Sequence, residues 1–102
     1  MSWRVVVRPE IEQDLADAAD WYNSREDGLG NRFIPEVLEV MDAIASNPLL
    51  RSRRQPRKNI RWRYPESFPY RIIYKVNELD RSVIIAAVVH AARHDRHWKK
   101  RV

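Results

Sequence analysis

The chain contains no cysteine in its 102 residues, so neither a disulfide framework nor a thiolate zinc site can staple it, and the fold must rest on apolar packing. Long apolar runs are missing too. The opening MSWRVVVRPEIEQ turns polar after three valines, too short for the core of a secretion signal, and nowhere does the sequence approach the roughly 18 apolar residues of a membrane span. There is no internal repeat and no low-complexity linker. These absences lead to the expectation of a soluble protein in a reducing cytoplasm, away from membranes and without a bound cofactor. At 44% hydrophobic residues with four tryptophans, the chain has apolar mass for one small core but too little length for two, so residues 1–102 are expected to form a single domain.

Charge is the first thing present in excess. The formal net charge is +5, which suits polyanions or an acidic partner protein. The distribution is polarised: acidic residues dominate positions 10 to 42, whereas positions 51 to 63 and 93 to 101 are almost purely basic.

Periodicity then divides the chain into elements. Trp3 to Val7 is β-branched and closed by Pro9, as expected of a first strand. From Glu10 to about Ser24, Ile11, Leu15, Ala18, Ala19 and Tyr22 fall on one helical face, with Glu10, Glu12, Asp14, Asp17 and Asp20 on a face read as solvated. Gly28 and Gly30 mark a short turn. Phe33, Val37, Val40, Met41 and Ile44 form a second helical stripe, ending at Ser46–Pro48. Pro35 leaves two options open there: a start near Ile34 with Pro35 in the first turn, or a start near Leu29 with a kink. So short a connection predicts an antiparallel helix hairpin. Residues 49 to 59 read as a basic loop. The period then changes to two. Ile60, Trp62 and Tyr64 alternate with Arg61 and Arg63, residues 65 to 69 form a turn, and Tyr70, Ile72, Tyr74 and Val76 alternate with Arg71, Ile73 and Lys75. Val83 to Val89 is apolar at every position, as expected of a central strand covered on both faces, and His90 ends it. The expected architecture is α+β: an N-terminal strand, an antiparallel helix hairpin, then a three-stranded antiparallel meander, all in one sheet.

Three groupings bear on chemistry. Arg54, Arg57, Lys58 and Arg63, interleaved with Trp62 and Tyr64, form a plausible nucleic-acid footprint, since guanidinium groups take phosphate oxygens and flat rings stack on bases. The plainer alternative is a solvated loop and a charge-protected edge strand. His90, His94 and His97 have the spacing H-x3-H-x2-H, which invites a metal reading, but the basic side chains around them serve a divalent cation poorly and no metal is expected. Cleavage of RNA by its own 2′-hydroxyl needs a base, an acid and a cation for the developing charge. His90, Arg93 and His94, facing Arg71 and Arg61 on neighbouring strands, could supply these without metal. Against that stands a structural role for His90 as a strand cap and an Arg93–Asp95 ion pair.

The order of elements, with Ile11–Leu15 in the first helix, Phe33 in the second, Asn47–Pro48 closing it, Ile60–Arg61, the strand from Pro69 to Tyr74, and an H-x-x-R-x-D ending at His90, Arg93 and Asp95 followed by Trp98, resembles the RelE/ParE toxin superfamily over nearly the whole chain. The resemblance implies a microbial-RNase-like α+β fold, a role as the toxin of a type II toxin-antitoxin pair, and a cognate antitoxin that wraps the domain into a hetero-oligomer. The superfamily splits into RelE-like ribosome-dependent mRNA endonucleases and ParE-like inhibitors of DNA gyrase. By position, Arg71 and Arg93 match arginines that the endonucleases use. The lysine-rich stretch of those enzymes is arginine-rich here, and Trp98 lies near their expected tyrosine; an indole stacks but cannot exchange a proton. The ending is closer to the ParE branch. Under that reading the basic tail, with Trp98, Lys99, Lys100 and Arg101, is the expected target contact. The remaining alternative is a non-toxic basic nucleic-acid-binding module.

Overall fold

The structure is a computed structural model and describes residues 2–102. Its elements are β1 (Arg4–Val7), α1 (Glu10–Arg25), α2 (Leu29–Ser46), β2 (Ile60–Arg63), β3 (Tyr70–Asn77) and β4 (Ser82–His90), with short 3-10 turns at Pro56–Lys58, Asp95–His97 and Lys99–Arg101. One four-stranded sheet has the order β1-β4-β3-β2. β2, β3 and β4 form the expected antiparallel meander, and β1 joins the outer edge of β4 in parallel, which makes the sheet mixed.

Local chemistry accounts for the helices. Pro9 sits at the N-cap of α1, where no amide is needed, with Glu10 and Glu12 in the first turn and Arg25 in the last, each charge complementing the helix dipole. Gly28 takes φ 84°, a left-handed conformation that a side chain would strain. Gly30 lets α2 touch α1: a Cβ there would collide with the carbonyl oxygen of Ala19, while its amide donates to Asn23 Oδ1 at 2.8 Å. Helix α2 starts at Leu29 and continues through Pro35. Pro35 and Asn31 are both exposed, so the carbonyl that proline leaves without its i+4 donor can be hydrated.

Two cores lie on opposite faces of the sheet. Beneath the helices, Phe33, Val37, Ile44, Ile72, Tyr74 and Ile85 are buried together, with Tyr22, Phe33, Phe68 and Tyr70 packed ring against ring. On the other face, Ile60, Ile73 and Ala87 are covered by Trp98, with Trp62, Val89 and Val102 at the rim. The uniformly apolar β4 is thus covered on both sides as expected. A bulge adds to this: Ile73 pairs with Ala87 and Tyr74 with Ile85, so Ala86 is extra and the strand's alternation shifts there.

Two expectations require correction. Arg61 and Arg71 do not converge. Arg61 pairs with Tyr74 and Trp62 with Ile73, so Arg61 shares the helix-side face with Tyr74, whereas Arg71 shares the tail-side face with Ile73. The acidic face of α1 is not uniformly solvated: the Asp14 side chain retains 13% exposure and is held in an ion pair. The tail after His90 folds into two 3-10 turns, Asp95–His97 and Lys99–Arg101, with Trp98 fully buried between them.

Candidate functional site

The C-terminal residues form a strap across the tail-side face, and its inner and outer side chains have different tasks. Trp98 is fully buried, lying 6.0 Å from Trp62 in an edge-to-face pair. Arg71, itself almost fully buried, donates from Nη1 to Asp95 Oδ1 at 3.0 Å and from Nη2 to the Arg93 carbonyl at 2.8 Å, with its guanidinium 5.0 Å from the Trp62 ring centroid. That guanidinium holds the Asp95 carboxyl below the usual aspartate range. Arg101 donates to both oxygens of Asp14, at 2.6 and 3.2 Å, and to the Ala86 carbonyl at 3.2 Å. The bond to Asp14 keeps Arg101 even more firmly protonated than usual.

The Asp14–Arg101 pair also closes a gap in the sheet. Strand β1 ends opposite Ile85, so β4 beyond that point has no neighbour on this edge. The Val88 amide donates to Asp14 Oδ2 at 2.9 Å, and the Ala86 carbonyl accepts from Arg101. Backbone groups that would otherwise lack partners are satisfied by one ion pair.

The outer side chains Arg93, His94, Arg96, His97, Lys99 and Lys100 are exposed. Anchored every few residues, the strap presents these groups on a fixed backbone. His90 and His94 each accept a backbone amide through Nδ1, from Ala92 at 3.0 Å and from Arg96 at 3.1 Å, which leaves Nε2 as the outward nitrogen of each. His97 is held below the ordinary histidine range by partial desolvation and then by Arg93, Arg96 and His94.

The other sequence-derived candidates are dispersed. Arg61 is a clamp: its Nη1 donates to the Arg51 and Leu49 carbonyls at 2.6 and 3.1 Å and its Nε to Asn59 Oδ1 at 3.0 Å, tying the 49–59 loop to β2. Arg57 and Lys58 are exposed on their 3-10 turn, and Arg54 places its guanidinium 5.4 Å from the Trp62 ring centroid. Arg63 is half-buried beside α2, near Glu36 and Glu39. Trp98 and Arg101, expected among the target-contacting residues, are instead anchors: the indole is apolar enough to be buried whole, and the guanidinium finds a carboxylate partner.

What the structure does bring together is a cleft of about 400 Å3 between α1 and the end of β4, lined by Asp14, Asp17, Ala18 and Trp21 from α1, Tyr70 and His90 from the sheet, and Arg93, His97 and Arg101 from the strap. Sequence reasoning found His90 and Arg93 but missed the α1 contribution. The sequence carried only half of that signal: positions 14, 17, 18 and 21 fall at i, i+3, i+4 and i+7 on one helical face, but nothing in residue order places that face beside the tail. Burial of Tyr70 raises its phenol above the ordinary tyrosine range, so the group stays a neutral hydrogen-bonding hydroxyl. Among the described residues, no three His, Asp or Glu side chains are grouped to hold a metal ion, and no helix is long and apolar enough to cross a membrane.

Comparison with known proteins follows from this geometry. Residues 5–95 match the family model described as the ParE toxin of the type II toxin-antitoxin system, parDE. The chain is similar in fold to the archaeal RelE of a RelE-RelB complex from Pyrococcus horikoshii OT3, with 17% identity and a TM-score of 0.53, covering 92% of this chain and 100% of that one. No match is found among curated proteins.

Proposed function

The chain belongs to the ParE toxin family of type II toxin-antitoxin systems, and from that premise we propose that it inhibits DNA gyrase in the cytoplasm by binding, without chemistry, through the outer face of its C-terminal strap. It is the toxin component of such a pair. The observation that carries the reading is the engagement of the two strand arginines. Arg61 and Arg71 are on opposite faces of the sheet, and the donors described above go to backbone carbonyls, Asn59 and Asp95. A phosphoryl-transfer site needs cations aimed at one point where charge develops; these two serve the fold. Trp98, near the position of the endonuclease tyrosine, is sealed from solvent and has no proton to exchange. What the strap offers is a row of cations on a rigid backbone, which loses little entropy on binding.

The neighbour in the solved structure is in complex with RelB. For this chain the corresponding partner is a cognate antitoxin, forming a hetero-oligomer and masking the toxin. A basic toxin favours an acidic antitoxin segment, in keeping with the net charge of +5.

Ribosome-dependent mRNA cleavage is a second reading, favoured by His90, Arg93 and His97 sharing one cleft. The decisive experiment runs both assays on one preparation. Purified protein should block supercoiling by gyrase in a dose-dependent manner and leave mRNA in a translation reaction without new 5′ ends. Unchanged supercoiling at saturating protein, with fresh ends by primer extension, would replace the first reading with the second.

A further inference from the structure

The cleft between α1 and the strap has two unlike lips. On the α1 lip, Asp17 and Trp21 are one helical turn apart and both exposed. Arg25 lies 4.7 Å from the Trp21 ring centroid and Tyr22 packs on it edge-on at 5.1 Å, so the half-exposed indole is held in place. Asp17 accepts one hydrogen bond from Gln13 on Oδ1, leaving Oδ2 available to a ligand. On the opposite lip stand Arg93 and His97, exposed and, among the described residues, with no carboxylate in an ion pair with either. The floor is apolar, formed by Ala18 and Val88, and the Asp14–Arg101 pair beside it is internally neutral.

A plain anion is poorly served here because Asp17 would repel it, and an apolar molecule would strip water from Arg93 without return. The ligand that satisfies both lips is flat and aromatic, carries an amino donor at one end and an anion at the other, and fits a volume within the range of roughly 300–1,000 Å3 usual for small-molecule sites. We propose that this cleft binds a nucleoside monophosphate unit whose base carries an exocyclic amino group. The base lies against Trp21 and donates its amino hydrogen to Asp17, and the phosphate takes Arg93 and His97. Tyr70 and His90, which pack together at 5.3 Å, form the back wall toward the sugar. The unit is either a free nucleotide or one residue of a single strand. This site goes beyond gyrase inhibition: it shares Arg93 and His97 with the strap's outer face but takes its other contacts from Asp17 and Trp21 of α1.

The test is titration of the whole protein with 5′-AMP, 5′-CMP, 5′-UMP, adenosine, inorganic phosphate and a single-stranded hexanucleotide of adenine, read by calorimetry. AMP and CMP should bind about tenfold more tightly than UMP, adenosine or phosphate, since each of the latter lacks one lip's contact. Trp21→Leu and Arg93→Gln, both at exposed positions, should each weaken AMP about tenfold, and Asp17→Asn should erase the preference of AMP over UMP. A hexanucleotide tighter than AMP assigns the site to a strand; equal affinity assigns it to the free nucleotide. The proposal is overturned if no nucleotide binds saturably, or if AMP binds Trp21→Leu and Arg93→Gln as well as it binds the original chain. Neither result bears on supercoiling, so failure here and failure of the gyrase reading are separately visible.

Discussion

The two faces of the sheet are closed by different means. The helix-side face is covered by two long helices and a cluster of four aromatic rings, with Phe33, Val37 and Ile44 fully buried. The tail-side face is covered by a few residues of strap, and its closure rests on one indole and two ion pairs. A broad apolar contact is hard to undo piecemeal. A narrow one pinned by charges is separable from the rest of the domain, because each anchor can be removed while the other core stays intact. The strap is therefore the part of the molecule whose order can be varied independently, and it is also the part that presents the exposed cations.

The largest effect should come from the helix side. Phe33→Ala leaves a cavity in the aromatic cluster and should cost about 3–5 kcal/mol, seen as a lower urea midpoint for the entire cooperative transition. Trp98→Ala removes a side chain just as buried, yet it should act locally. Amides from residue 93 onward lose hydrogen-exchange protection while those of α1 and α2 keep theirs, so the global loss falls short of the Phe33 value. Equal global destabilisation by both would show that the two cores are one unit.

Asp14→Ala comes next, at roughly 2 kcal/mol, below the cost of breaking a fully buried pair because both partners still meet solvent. It frees Arg101 and leaves the Val88 amide without its acceptor; Asp14→Asn, which keeps an acceptor, should be milder. Acid should loosen the strap in a way that reports on Asp95. Its carboxyl is held below the ordinary aspartate range by Arg71, so its contribution is present above that range and is lost as pH falls through the depressed value. Asp95→Asn should flatten this part of the stability profile, and a profile identical to that of the original chain would remove Asp95 as an anchor.

Much of this architecture was readable from residue order. Helix α1, the meander, the doubly covered β4 and the family resemblance follow from apolar spacing and from residues such as Phe33, Tyr70 and His90, because burial imposes periods that sequence preserves. The site was less legible. The reading that put Arg61 and Arg71 together failed because each strand's alternation was visible but their mutual register was not, and register decided the face. Trp98 looked like a surface contact among lysines and arginines, since a lone indole in a basic tail gives no sign of folding back onto Ile60 and Ile73. Asp14 was hidden for a related reason. Its partner, Arg101, lies 87 positions away, and only the fold makes an acidic helix face and a basic tail into neighbours.

The smallest effect on stability should come from the strap's outer face, and that same substitution tests the central claim most directly. Lys99→Glu together with Lys100→Glu alters two exposed side chains, of which Lys99 acts on Asp95 only through its charge, so the thermal midpoint should move little. In a gyrase supercoiling assay, the concentration giving half-inhibition should rise about tenfold or more, as expected when two cations of a binding contact are reversed in charge. An unchanged inhibitory concentration, with folding intact, would contradict the assignment of the strap as the target contact.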